Sequence, residues 1–578
     1  MGSCLNLKYQ EKKELKSMKV AMVYPLPSPV SPQKNCALSI IYPGRAAEIA
    51  GHDVSFWDAR LDTEIDLWAN IRSADVLGIS SLSGFQLGEA MRIAKRVRVL
   101  FPEKPIIWGG VHVTFQPIQS LREDFVDFCI IGEGELRFPK LLAAIERGYG
   151  FKDIDGIAYK RTSVGYQSSP REDQVFESQT SPFGHNIRVI SGGKEIMELH
   201  DPNGAYENGQ ISVQRRGLSV DLKSQYVPAM SPTTRRLFVS AAKRNEVILQ
   251  TSRGCNWSPT SCEFCSVGGQ YSQTDPKTGR TSSVYRYIPY EIWSKDFQAI
   301  WEAEHFTFCE FEDENSSWFI KDWRYAELAQ KLGVTYHLHL RSDQLHKEEV
   351  IKKLSETGCI RIHIGAESGN EETLKMMRKG EKVEAHYKAA TLLAKYGIEG
   401  VYTWIIGNPG ETNAAIMDTL RVSDEIKHLH PPGKSRATIY VLIPLPGTIA
   451  FKRAKEAGWP LPDDMQGWTE MSAAFNPQLP AWMNNLYFIA GFHHNSSHKT
   501  PQNFPGWWRL LILPFELIIE KRWALGIKHK DPRYFGYFKF EYWCINMLLR
   551  WRSRKSVGQG ANQVPKLLER YIPGLAGH

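Results

Sequence analysis

Short apolar strand patterns alternate with amphipathic helix patterns in two separate stretches of this 578-residue chain, and no other feature narrows its fold as far. Between residues 18 and 150, MKVAMVYPLPS, VSFWDAR, ADVLGISS, KPIIWGGVH and DFVDFCIIGEGE read as strands. RAAEIAGHDV, with Gly51 as its stop, LGEAMRIAKRVRVLF and LRFPKLLAAIERG read as the helices between them. This order predicts an α/β domain with a parallel, doubly wound, Rossmann-like sheet, which binds ligands beyond the carboxyl ends of its strands. From Glu246 the pattern resumes with EVILQTS, HFTFCEFED, VTYHLHLRS, CIRIHIGAES, GVYTWIIGNPG and ATIYVLIPLPGT. Six such units between residues 246 and 465 predict a partial (βα)6 barrel of the TIM type, with its chemistry at the carboxyl ends of the strands.

Residues 151–245 are rich in Ser, Gly, Asn and Pro and read as a linker with irregular excursions and a few short strands. Residues 466–578 read as an α-helical, aromatic and basic C-terminal region. Between residues 505 and 555, Lys and Arg outnumber Asp and Glu eleven to four, so this segment holds nearly all of the net charge of +8. The remainder is close to neutral, which argues against a general nucleic-acid binder. Trp507, Trp508, Trp523, Trp543 and Trp551 interleave with these cations, while Pro505 and Pro514 are expected to interrupt any single long helix. The favoured reading is a helical cap that completes the open barrel; the second is peripheral contact with a membrane surface. Nine unevenly spaced cysteines do not read as a secreted disulfide scaffold, and the N-terminus shows no apolar signal region, so a cytoplasmic setting is expected.

Three of those cysteines, Cys255, Cys262 and Cys265, fall in RGCNWSPTSCEFCS, directly after the first barrel strand. Thiolates are the ligands of iron–sulfur clusters, and a [4Fe–4S] cube normally takes four. Three ligands leave one iron with an exchangeable position. The alternative is a zinc loop completed by His305, His337 or His339, or a set of buried structural cysteines. Cys309, Cys359 and Cys544 read as core.

The segment resembles the radical S-adenosylmethionine (SAM) enzymes, whose usual pattern is Cys-x3-Cys-x2-Cys. Phe264 and the second spacing match, and the first gap is widened as if Ser258, Pro259 and Thr260 were inserted. GVYTWIIGNPGE, with Gly407 and Gly410, resembles the motif that flanks the adenine. IGAESGN resembles the segment that reaches the ribose, through Glu367 and Ser368. By the same resemblance Arg341 is a candidate partner of the SAM carboxylate, and Glu312 and Asp313 of its ammonium. The likeness covers roughly residues 246 to 460.

ADVLGISSLS, IIWGGVHVT and CIIGEGE resemble the cobalamin-binding domain that precedes many radical SAM barrels. Ser80, Ser81, Ser83, Gly109, Gly110, Gly132 and Glu133 would line the corrin crevice. The Asp-x-His-x-x-Gly signature is absent, so a bound cobalamin would lack a histidine ligand from the protein. Together the resemblances imply a [4Fe–4S] cluster, SAM and cobalamin as cofactors. They imply methylation of an unactivated carbon or phosphorus of a small molecule, lipid, peptide or natural product, with an electron donor such as flavodoxin or ferredoxin. Oxidative cyclisation or rearrangement is the alternative activity, and a non-catalytic cobalamin- or metal-binding protein the alternative class.

Overall fold

The computed structural model describes residues 17–27, 37–160, 174–181, 184–191, 194–201, 211–213, 219–239, 246–257, 262–274, 281–471, 476, 478–495 and 506–535. These form two compact units. The first draws on the described residues up to Tyr24, from Leu38 to Ser80 and from Ile93 to Gly217. The second draws on Pro25–Ala37, Ser81–Arg92 and the described residues from Leu218 onward.

In the first unit, β1 (Lys19–Tyr24), β2 (Asp53–Asp58), β3 (Val76–Ser80), β4 (Ile106–Gly109) and β5 (Phe128–Ile130) are parallel and lie in the order 2-1-3-4-5. Val20, Ala21, Met22 and Val23 of β1 are all buried, as a strand covered by helices on both faces requires. The chain order reverses between β1 and β3, which makes their carboxyl ends the switch-point crevice. The first helix starts at Leu38, ahead of RAAEIAGHDV, because Ile40, Ile41 and Tyr42 bury on the sheet. β6 (Ile157–Lys160) extends the sheet antiparallel to β5.

The stretch expected to be a linker is more regular than its composition suggests. β7 (Gln174–Ser181), β8 (Gly184–Ser191) and β9 (Lys194–Asp201) form an antiparallel meander, and β10 (Ile211–Val213) pairs with β6. QVFESQTS and KEIMELHD are mostly polar and carry no clear alternation, so neither periodicity nor composition announces these strands.

In the second unit, β11 (Glu246–Leu249) is followed by four short strands: β12 (Ser252–Arg253), β13 (Ser272–Thr274), β14 (Thr281–Ser283) and β15 (Arg286–Tyr287). β12 pairs with β15, and β13 with β14. Then come β16 (Phe308–Phe311), β17 (Thr335–Leu340), β18 (Cys359–Glu367), β19 (Glu399–Ile406) and β20 (Ser435–Val441). β11 and β16 to β20 are parallel and adjacent in chain order, so the sheet is an open six-stranded barrel. Helices 290–304, 324–331, 348–356, 383–395 and 413–429 separate the strands. Leu338, Ile362, Ile364, Trp404 and Ile439 bury on the outward, helix-facing side of the sheet.

Helix 481–495 packs along the edge strand β20, and helix 506–529 packs on helix 481–495. Trp523 is buried and stacks on His493 at 4.4 Å, while His493 bridges Asp424 at 2.7 Å and Glu520 at 2.9 Å. An edge that would otherwise offer unpaired backbone is thereby covered. Contrary to expectation, Pro514 lies inside helix 506–529 and does not end it; packing along a neighbouring helix outweighs one lost backbone hydrogen bond. Trp543, Trp551 and Cys544 lie outside the described residues. Among the described residues no helix is long and apolar enough to cross a membrane.

Candidate active site

The exits of β11 and β16 are fastened together before the cysteines begin. Thr251 donates to the Asp313 carboxylate through its backbone N–H (2.7 Å) and its hydroxyl (2.5 Å), and the Ser252 N–H adds a third bond at 2.9 Å. Gly254 then takes a φ of +87°, and a Cβ there would lie 2.3 Å from the Val284 carbonyl oxygen. Only glycine can pass this point. Its N–H donates to Glu314 at 3.1 Å, and the next residue is Cys255, whose Sγ accepts a long contact from Asn315 Nδ2 at 3.7 Å.

The loop beyond Cys255 is pinned through Trp257. Its indole N–H donates to the Arg378 carbonyl at 3.1 Å, and the Arg341 guanidinium lies over its ring at 4.2 Å. Gly380, at φ +69°, leaves the space the ring fills; a Cβ there would fall 2.1 Å from it. On the other side, Glu263 N–H donates to the Met377 carbonyl (2.9 Å), and its carboxylate accepts from Arg453 (2.6 Å). A turn closes Cys262 onto Cys265, with the Cys265 N–H donating to the Cys262 carbonyl at 3.0 Å. All three cysteines are free and half-buried, as is Phe264 beside them. The added residues Ser258, Pro259 and Thr260 lie outside the described residues.

The thiols share one electrostatic environment. Burial raises the Cys262 pKa, with Glu367 and Cys255 adding to the rise while Lys379 and Arg341 oppose it. Cys265 is pushed up to about 12 by burial and by the two neighbouring thiols. Lys379 is buried, with Nζ 3.4 Å from Glu367 Oε1. Burial works against its charge, but Glu367, Glu381 and Cys262 outweigh that and hold it protonated. Burial raises Glu367 as well and pushes Glu381 up to about 7. Three soft donors in one field, flanked by two fixed cations, fit a thiolate-held iron–sulfur cluster.

The other expected SAM contacts fall around the same mouth with varied commitments. Arg341 is buried and donates to Asp343 (3.1 and 3.0 Å) and to the Lys379 carbonyl (2.8 Å), with Glu381 at 3.4 Å. Asp313 is buried and spends its carboxylate on the Thr251–Ser252 staple; Glu312, next to it, is half-buried. Glu367 sits at a β-bulge with φ +65°, an unusual conformation for a side chain of its size. Ser368 is buried and bonds Thr419 Oγ1 at 3.0 Å. Gly407 and Gly410 flank a turn in which the Glu411 carboxylate accepts from Gly407 N–H (2.8 Å) and Asn408 N–H (3.0 Å).

The histidines weighed as a fourth ligand lie elsewhere. His305 caps helix 290–304 ahead of β16, at the amino end of the barrel. His337 and His339 face Glu310 across β16 and β17. Cys309 and Cys359 are buried in the core.

In the first unit, Ser80 ends β3 and shares a hydrogen bond with Ser39 Oγ at 2.9 Å. Gly109 ends β4, and a Cβ on it would meet no described atom within 4 Å. Gly110 follows at φ +98°, and Gly132 donates to Thr114 Oγ1 at 3.0 Å. Glu133 is half-buried, and its carbonyl accepts from Arg137 at 2.9 Å. Burial pushes His112 down to about 3, so it is neutral at pH 7. A glycine-edged opening beside the switch point fits a broad flat ligand such as a corrin. Ser81 and Ser83 fall in the segment that belongs to the second unit, the first buried and the second half-buried.

Several participants escape a motif reading: Trp257, Lys379, Glu381, Glu314 and the Glu263–Arg453 pair. The signal in hindsight is Lys379-Gly380-Glu381, two opposite charges about a glycine, shortly after a helix.

Comparison with known proteins agrees with this layout. Residues 249–422 match the radical SAM superfamily and residues 33–142 the B12 binding domain. The anaerobic magnesium-protoporphyrin IX monomethyl ester cyclase of Synechocystis sp. is 25% identical over 376 residues, 62% of this chain and 61% of that protein, so the chain spans less than two thirds of its length. An uncharacterized methyltransferase of Pyrococcus horikoshii is 25% identical over 388 residues, 66% of this chain and 69% of that protein. Among solved structures, the cobalamin-dependent SAM radical enzyme OxsB, with aqua-cobalamin and SAM bound, superposes with a TM-score of 0.61 at 16% identity, covering 96% of this chain and 79% of that one.

Proposed function

The chain carries a B12 binding domain followed by a radical SAM domain, and from this premise we propose that it is a cobalamin-dependent radical SAM enzyme that methylates an unactivated carbon or phosphorus of its substrate. The observation that carries the proposal is the thiol trio at the carboxyl end of β11, close enough for each thiol to perturb the next. When bound there, a [4Fe–4S] cluster supplies one electron for cleaving SAM, and a corrin in the first unit supplies a methyl carrier.

The protein's own residues set the conditions. Cys255, Cys262 and Cys265 hold the cluster as thiolates. Lys379 and Arg341 favour those thiolates by charge, against the burial that disfavours them. Trp257 and Glu263 fix the two halves of the loop. Arg341 reaches a SAM carboxylate by exchanging Asp343, the more exposed of its acidic partners. Glu312 takes the ammonium, since Asp313 is committed to the backbone. Glu367, Ser368, Gly407 and Gly410 border the nucleoside. Within the first unit, Ser80, Gly109, Gly110, Gly132 and Glu133 border the corrin. The setting is cytoplasmic, with reduced flavodoxin or ferredoxin as electron donor and peripheral membrane contact if the substrate is a lipid.

A second reading, oxidative cyclisation, is favoured by the cyclase relative, as similar in sequence as the methyltransferase. Anaerobic reconstitution of the full chain tests both. The expected result is an oxygen-sensitive brown cluster, cleavage of SAM and transfer of its labelled methyl group to product; SAM cleavage without methyl transfer selects the cyclase reading. Cys262→Ala is expected to abolish cluster loading and SAM cleavage together, and retention of either overturns the three-cysteine assignment.

A further inference from the structure

Glu310, His337, His339 and His363 face one another on a single side of the barrel sheet. His337 and His339 are two residues apart on β17, which turns both to the same face. Glu310 of β16 is the register partner of His337, and His363 of β18 that of His339. Leu338, Ile362 and Ile364 point the other way, into the helix layer, so the four polar side chains lie on the inner face. One ring nitrogen from each histidine lies within 4.8 Å of the others. Glu310 Oε1 is 3.3 Å from His337 Nδ1 and 3.7 Å from His339 Nε2.

Contact with Glu310 explains only part of this arrangement. Glu310 meets one ring nitrogen of His337 and one of His339, but Nε2 of His337 is buried and has no hydrogen-bond partner, and His337 is only 4% exposed. The rings lie within 25° of parallel, with centroids 4.8, 5.0 and 6.1 Å apart. Stacking leaves His337 Nε2 without a partner, which buried polar atoms rarely are. Around a tetrahedral ion with bonds of about 2.0–2.1 Å, ligand atoms stand roughly 3.4 Å apart. The Glu310 contacts to His337 and His339 already have about that spacing, and side-chain rotation would have to bring the His363 nitrogen, within 4.8 Å of the other two rings, into the same sphere.

We propose that Glu310, His337, His339 and His363 form a mononuclear site for a divalent transition-metal ion inside the barrel, separate from the three-cysteine site. Three imidazoles and one carboxylate suit zinc or iron(II) better than the hard cations, which prefer all-oxygen sets. The site uses no cysteine and no corrin residue, so it stands independently of the activity proposed above.

The test keeps the two apart by using the full chain with Cys255→Ala, Cys262→Ala and Cys265→Ala, which cannot hold an iron–sulfur cluster. After chelator treatment it is titrated with zinc chloride, desalted and analysed for metal; cobalt(II) serves as a coloured substitute. One retained equivalent of zinc is expected, together with cobalt ligand-field bands that zinc abolishes. Adding His339→Ala or His363→Ala is expected to weaken binding at least about 100-fold, and Glu310→Gln about 10- to 100-fold. Circular dichroism confirms the fold of each variant, and His363→Gln replaces any alanine variant that does not fold. Failure of the three-alanine parent to retain stoichiometric zinc, or retention unaltered by every histidine substitution, overturns the proposal. Cluster loading of the unsubstituted chain is measured separately and bears only on the cysteine site.

Discussion

Lys379 is the group on which the acidic side of the cysteine pocket depends, and its removal has a calculable consequence. Its Nζ lies 3.4 Å from Glu367 Oε1, with side-chain exposures of only 6% and 10%. Lys379→Met keeps the length of the side chain and deletes the charge, leaving Glu367 buried without its cation. Glu381 still has Arg341 at 3.4 Å, so the loss falls mainly on Glu367. Breaking a buried pair from one side costs about 3–5 kcal/mol. The cost depends on pH in a defined direction. Burial already raises the Glu367 pKa in the folded protein, and losing Lys379 raises it further. A folded pKa above the unfolded one means that the favourable contribution is complete below the unfolded pKa and is lost as pH rises through the folded pKa. The variant's deficit is therefore largest above neutrality and shrinks on acidification by up to about 1.4 kcal/mol per pH unit while Glu367 takes up its proton. Thermal unfolding of the full chain at about pH 8 and about pH 5.5 measures this. At the higher pH a drop in Tm on the order of 3–7 °C is expected, falling at the lower pH. Lys379→Met/Glu367→Gln is expected to recover most of it. A single variant as stable as the parent at both pH values, or a double variant no better than the single, refutes the reasoning.

Two further outcomes follow from neighbouring geometry. Gly380→Ala places a Cβ 2.1 Å from the Trp257 ring at φ +69°; left-handed backbone strain of about 1–2 kcal/mol and a displaced indole should lower Tm and reduce iron retained after anaerobic reconstitution. Normal iron content in a folded Gly380→Ala protein would show that Trp257 does not fix the cysteine loop. Glu411 is pushed up to about 6 by burial, so its contribution to stability is complete below its unfolded pKa and fades as pH rises towards 6. Relative to the parent, Glu411→Gln should therefore gain roughly 2 kcal/mol between about pH 4.5 and 7, read by denaturant titration, and a pH-independent difference contradicts the shift.

The fold was legible wherever burial imposes a period. β1, β3 and β4 are short apolar runs because helices cover both faces, and such runs announce themselves without reference to distant residues. The same holds for β17 and β18, whose alternating Leu, Ile and His divide cleanly between the helix layer and the inner face. The meander of β7 to β9 was hidden because polar residues outnumber apolar ones in its strands, in a Ser- and Asn-rich background. Pro514 misled for a related reason. A proline weakens a helix locally, but whether the helix ends there is decided by the surface on which it packs, and a linear pattern does not contain that surface.

The candidate site divides along the same line, between residues whose chemistry is intrinsic and residues whose chemistry comes from neighbours. Three cysteines on one loop mark a candidate ligand set by type and closeness alone. Lys379 does not, because an isolated lysine is ordinary; what makes it exceptional is burial beside Glu367 and Cys262, and those three come from separate segments of the barrel. Asp313 shows the converse. Its type and position at a strand end suit an ammonium receptor, yet two successive backbone N–H groups and a threonine hydroxyl consume its oxygens. A carboxylate at such a position has two competing uses, closing the strand exit or meeting the ligand. Adjacent acidic residues allow both: Asp313 secures β11, and the proposal gives the ammonium to half-buried Glu312. On the proposed assignment, a structural acid beside a ligand-facing one would account for two carboxylates where the ammonium needs only one.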